Sequence, residues 1–91
     1  MRRTRRNLPY HELIGLRVKV KNHTDPGLRG LEGVVIDETM NTLKVRVKGK
    51  DVVVPKESAE FLFKLGKNES VELEGEEIVG RPEDRLRRIK R

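Results

Sequence analysis

Between residues 16 and 73, apolar and polar side chains alternate in short bursts, each closed by turn-forming residues. Leu16, Val18 and Val20 alternate with Arg17, Lys19 and Lys21, and Leu43, Val45 and Val47 alternate with Lys44, Arg46 and Lys48. A period of two belongs to a strand with one buried and one solvated face, so residues 16–21 and 43–48 read as strands with basic outer faces. Residues 31–37 form another strand, and the consecutive Val34, Val35 and Ile36 require cover on both faces over part of its length. Residues 52–55, 61–65 (with Phe61, Phe63 and Leu65 on one face) and 70–73 complete the set, followed by Gly75 and a short return through Ile78 and Val79. Asp25-Pro26-Gly27, the run from Asp37 to Thr42, and Gly49-Lys50-Asp51 supply the turns. Short strands at this spacing predict a mostly β fold: a small Sm-like or SH3-like antiparallel barrel of about six strands. Gly27, Gly30 and Gly33 would let a strand bend hard enough to close it.

Short N- and C-terminal helices are expected to flank the barrel. Pro9 suits a first helical position, Gly15 suits the left-handed residue after a helix, and Tyr10, Leu13 and Ile14 give residues 9–14 an apolar side. This helix would lie across an open end of the sheet. Pro82 opens a second helix, with Glu83 and Asp84 in its first turn and Arg87, Arg88, Lys90 and Arg91 in its last. Its apolar stripe is only Leu86 and Ile89, so little packing supports it. The predicted organisation is a basic N-terminal tail over 1–7, a barrel with its leading helix over 8–80, and a basic C-terminal helix or tail over 81–91.

Composition narrows the class. A chain of 91 residues has room for one small core. The lack of cysteine excludes disulfides and thiolate zinc sites. No apolar run resembles a signal-peptide core or a membrane span, which leads to the expectation of a soluble, cytoplasmic protein with no membrane partner. The formal charge of +6 is unevenly placed: residues 1–6 carry +4, 16–56 carry +4, 57–80 carry −5 and 81–91 carry +4. Basic tails, a basic early sheet and an acidic late sheet imply a nucleic-acid binder with one facing side. The candidate phosphate contacts are Arg2, Arg3, Arg5 and Arg6 in the first tail, Arg17, Lys19, Lys21, Lys44, Arg46 and Lys48 on the strands, and Arg81, Arg85, Arg87 and Arg88 in the second tail. Arginine supplies 9 of the 10 basic tail residues, and its planar fork fits phosphate better than solubility requires.

Other chemistry finds little support. The glycines of residues 27–33 are followed by a strand and no Gly-Lys-Ser/Thr, so they do not read as a phosphate-cradling loop. Asp37, Glu38, Thr39, Asn41 and Thr42 read as turn residues in preference to a metal or acid/base cluster. His11 and His23 lie on different elements and read as surface histidines, not as a ribonuclease pair. With Tyr10, Phe61 and Phe63 as the only aromatics, base stacking has almost no material, so binding must run on phosphate and on the shape of folded RNA or duplex.

Four ordered motifs, HELIGLRVKV, DPGLRGLEGVVIDETMNTL, VVVPK and GRPEDRLRR, resemble protein component 1 of archaeal ribonuclease P, the Pop4-type subunit family, over His11 to Arg88. The resemblance implies an Sm-like barrel that serves as a non-catalytic subunit of an RNA enzyme removing the 5′ leader from precursor tRNA. It implies no cofactor on the protein, since magnesium would be bound by the RNA. It further implies a heterodimer with a zinc-ribbon subunit, docking of the pair on the specificity domain of the ribonuclease P RNA, and association with the other ribonuclease P proteins. The rival readings are a KOW-type ribosomal RNA-binding barrel, against which the GRPEDRLRR tail speaks, and an SH3-like protein-interaction barrel, for which the aromatics are too few.

Overall fold

The computed structural model describes residues 13–80. They form one antiparallel sheet from β1 (Arg17–His23), β2 (Glu32–Glu38), β3 (Thr42–Val47), β4 (Lys50–Pro55), β5 (Ala59–Lys64) and β6 (Ser70–Glu74), in the spatial order β4-β3-β2-β1-β5-β6. The alternation seen in the sequence sets which face is buried. Val18, Val20, Val35, Leu43, Val45, Val54, Phe61, Phe63, Val71 and Leu73 share one core with Leu13, Leu16, Ala59 and Ile78. Phe61 and Phe63 pack against each other with ring centroids 5.8 Å apart. Val54 at one edge of the sheet and Leu73 at the other join the same core, so the sheet is curled around it.

Two bulges set the register. Between Val20 and Asn22 the pairing of β1 with β5 shifts, and between Val35 and Asp37 the pairing of β2 with β3 shifts. Each extra residue reverses the phase of the strand beyond it. As a result His23 and Glu38 turn inward. Gly33 is needed where β2 presses on β3: a Cβ there would lie 2.1 Å from the carbonyl oxygen of Arg46.

Several elements differ from the sequence reading. The strands do not close into a barrel, because β4 and β6 are the two edges and no ladder among the described residues joins them. β4 ends at Pro55, and β6 passes at Gly75 into a short 3-10 helix, Gly75–Ile78, in place of a simple return. The chain beyond each edge strand comes together at Lys56 and Gly75, where a Cβ on Gly75 would fall 1.5 Å from the carbonyl oxygen of Lys56. The turn between β3 and β4 is Lys48-Gly49, with φ of 51° and 81°, so Lys50 and Asp51 already belong to β4, opposite Val47 and Arg46. Two successive left-handed residues make the two-residue turn whose twist suits a hairpin. Of the predicted first helix, the described part is a turn: Leu13 is buried, Ile14 is 39% exposed, Leu16 N–H donates to Leu13 C=O, and Gly15 has φ of 96°. The rest of that helix and the whole predicted C-terminal helix lie outside the described residues.

Candidate nucleic-acid interface

The sheet's outer face carries a row of cations fixed by strand register. Lys64 on β5 stands opposite Arg17 on β1, Arg17 opposite Val34 on β2, and Val34 opposite Arg46 on β3. With strands ~4.8 Å apart, Arg17 and Arg46 are separated by about 10 Å across the sheet. They and Lys48 line a groove of about 520 Å³ together with residues 30–34, Glu32 among them, and Val47. Of the residues predicted from sequence, the structure thus brings Arg17, Arg46 and Lys48 together. Lys19 and Lys44 continue the same face along β1 and β3, Lys19 opposite Leu62 and Glu32, Lys44 opposite Asp37 and Val53.

Their charges are not equally free. Arg46 Nε donates to Asp51 Oδ1 at 2.9 Å, a second contact runs to Oδ2 at 3.4 Å, and both side chains are exposed. The hydrogen bond from Arg46 holds the Asp51 carboxyl below its usual range, and the same bond raises the guanidinium. Lys64 faces Glu32 at 3.7 Å. Lys21, at the β1 bulge, is hydrogen-bonded to Glu72 of β6, and that bond, with the Glu72 and Glu60 charges behind it, raises the ammonium. Lys21 therefore belongs with the acidic hollow formed by Glu60, Glu72, Glu74 and Glu77 and stands apart from the groove. By contrast Arg17, Lys19, Lys44 and Lys48 make no hydrogen bond or ion pair with any described side chain. Uncommitted cations gain most from phosphate, since exposed pairs must first be broken or shared.

Lys48 sits where local chemistry prefers another residue. At φ 51° a two-residue hairpin turn favours asparagine or glycine, and lysine is held there at a cost. Lys48→Asn is expected to raise stability by about 0.5–1 kcal/mol and to weaken RNA binding. Urea unfolding and RNA titration on the same variant check both signs, and loss of stability or unchanged binding would remove Lys48 from the interface.

Sequence reasoning missed Lys64, His23, Glu38 and Lys56. Lys64 completes the cation row. His23, read as a surface residue, is buried: its Nε2 donates to the Pro55 carbonyl at 3.0 Å and its Nδ1 accepts from Asp25 N–H at 3.0 Å. Glu38, read as a turn residue, is buried against Lys56, whose Nζ donates to Glu38 Oε2 at 2.7 Å and to the carbonyls of Thr39, Met40 and Gly80 at 2.9, 3.1 and 3.0 Å. Alternation from Val52 and Val54 already points Lys56 inward. The inward turns of His23 and Glu38 depend on the bulges, which leave no mark in the sequence. Arg2, Arg3, Arg5, Arg6, Arg81, Arg85, Arg87, Arg88 and His11 lie outside the described residues.

Comparison with known proteins decides the family. The sequence profile of "Ribonuclease P/MRP, subunit p29" matches residues 6–88. The chain belongs to the ribonuclease P/MRP subunit p29 family. Ribonuclease P protein component 1 of Staphylothermus marinus is 51% identical over 92 aligned positions, covering 100% of both chains. That of Methanothermobacter thermautotrophicus is 41% identical over 86 positions, covering 93% of this chain and 92% of the relative. Among solved structures, that of Mth11, described as a homologue of human RNase P protein Rpp29, superposes with a TM-score of 0.62 at 41% identity, covering 81% of this chain and 96% of the other. Membership of the p29 family disposes of the KOW-type alternative. Among the described residues no helix is long and apolar enough to cross a membrane.

Proposed function

We propose that this chain is an RNA-binding, non-catalytic subunit of ribonuclease P, supporting the RNA-catalysed removal of the 5′ leader from precursor tRNA. The observation that carries this reading is the p29 family match over residues 6–88. In this reading the groove is the phosphate-contacting surface. Arg17 and Arg46 offer planar forks, Lys48, Lys44 and Lys19 offer point charges, and all stand on hydrogen-bonded strands or the tight turn joining them. Phe61 and Phe63 are fully buried, so binding on the described surface runs on backbone contact and shape rather than on base stacking. The tail arginines Arg2, Arg3, Arg5, Arg6, Arg81, Arg85, Arg87 and Arg88 add further phosphate contacts. Cleavage and its magnesium belong to the RNA, a zinc-ribbon subunit is the heterodimer partner, and the pair docks on the specificity domain. The Sm-like and Pop4-type assignments and a cytoplasmic location belong to the same reading.

Reconstitution tests it. Incubated with precursor tRNA and magnesium, the isolated chain should release no leader, whereas adding it to the ribonuclease P RNA with the remaining protein subunits should raise the cleavage rate. Leader release by the chain alone, or a holoenzyme indifferent to its omission, would overturn the proposal.

A further inference from the structure

We infer that Arg29, in the loop between β1 and β2, is a further phosphate contact whose guanidinium is held ready by the backbone carbonyl of His23. The inference deepens the reading above, that the chain binds RNA, and rests on it.

The loop is hydrogen-bonded along its length. His23 fixes its start: the buried ring donates from Nε2 to the Pro55 carbonyl and accepts the Asp25 N–H at Nδ1. Inside the loop, Asp25 Oδ1 accepts from Gly27 N–H at 2.9 Å and the Asp25 carbonyl accepts from Leu28 N–H at 3.0 Å. At its end Gly30 N–H donates to the Val20 carbonyl at 2.7 Å. Arg29 is exposed and fastens its side chain to this frame by one bond, from Nε to the His23 carbonyl at 2.7 Å. That bond uses the single N–H of Nε and leaves the terminal pair, Nη1 and Nη2, whose parallel N–H groups match two phosphate oxygens. Neither Nη bonds to any described residue, and no described carboxylate pairs with the group. Arg46, by contrast, has both Nε and Nη2 committed to Asp51. A guanidinium already fixed and unpaired loses little freedom when a phosphate arrives. Its place suits the groove: Arg29 precedes Gly30, which lines the groove with Arg17, Arg46 and Lys48, so the two Cα atoms are about 3.8 Å apart.

The test uses the full-length chain, with the ribonuclease P RNA as probe. Arg29→Gln sets an amide nitrogen as many bonds from the backbone as Nε, so it can keep the bond to His23 while losing the fork and its charge. Its urea unfolding should match that of the wild type. Its RNA affinity should fall about fivefold, and the dependence of log affinity on log salt should flatten by about 0.7–0.9. Arg29→Lys keeps the charge without the parallel donors, and should regain the salt dependence while binding about twofold or more below wild type. Unchanged affinity in Arg29→Gln, with Arg17→Glu/Lys44→Glu still weakening binding, would overturn the inference and leave the reading standing. Full affinity in Arg29→Lys would overturn it as well, because charge alone would then suffice. Equal losses of stability and affinity in Arg29→Gln would confine Arg29 to holding its loop. If neither Arg29→Gln nor the groove pair weakens binding, this face does not meet RNA, and the reading beneath the inference fails with it.

Discussion

Lys56→Met is expected to lower the unfolding free energy by about 3–5 kcal/mol, a large part of what holds so small a domain together. The substitution preserves length and apolar bulk but takes the cation away from the Glu38 carboxyl, both side chains of the pair being fully enclosed. It also strips a donor from the carbonyls of Thr39, Met40 and Gly80. Glu38→Leu/Lys56→Met should recover much of the loss, because neither charge of the pair is then left without the other. Urea unfolding of the wild type and the two variants measures the difference. A single substitution costing under about 1 kcal/mol, the range of exposed pairs, would show that water reaches the pair.

The second large effect is on RNA. Arg17→Glu together with Lys44→Glu should flatten the dependence of log affinity on log salt by about 1.4–1.8, at about 0.7–0.9 for each phosphate no longer neutralised. At moderate salt, affinity should fall by about tenfold or more, since each new carboxylate also repels phosphate. Lys21→Gln with Glu72→Gln removes one charge of each sign from a pair already joined, and should change affinity less than about twofold. Filter binding at two salt concentrations, with circular dichroism as the check on folding, separates the cases. Equal losses from the two double variants would mean that charge on this sheet acts without regard to place.

Most of the sheet was legible because one buried face imposes a period of two on Leu16 to Val20, Leu43 to Val47 and Phe61 to Phe63. The features that stayed hidden have common physical causes. A bulge adds a residue without changing composition, so His23 passes from surface to core and Glu38 from turn to core. The turn begins at Lys48, one residue before the expected Gly49-Lys50-Asp51, because lysine carries no signal for a left-handed backbone. Barrel closure did not follow from strand count, since it depends on whether β4 and β6 pair, and the chain beyond them meets at Lys56 and Gly75 without forming a ladder. Of the interface, the outward phase of Arg17, Lys44 and Arg46 could be read directly. The capture of Lys21 by Glu72 could not, because it joins strands that only the fold makes near-neighbours.

The strand order has a kinetic side. Within β2 to β4, ladder partners lie as few as three residues apart in the chain, as with Val47 and Lys50, whereas β1 must find β5 across separations of 36 residues at His23 and Ala59 and 47 at Arg17 and Lys64. Closing so long a loop is easier once the intervening three strands have condensed. Lys56 comes directly after β4, and Glu38 ends β2, so their pairing requires only the early-forming half. The destabilisation by Lys56→Met should then appear chiefly as slower refolding, and a chevron in which only the unfolding limb moves would place the pair late. On this route the Lys56 ammonium that holds Gly80 is in place before β5 reaches β1, and the cationic row gains Lys64 only when it does.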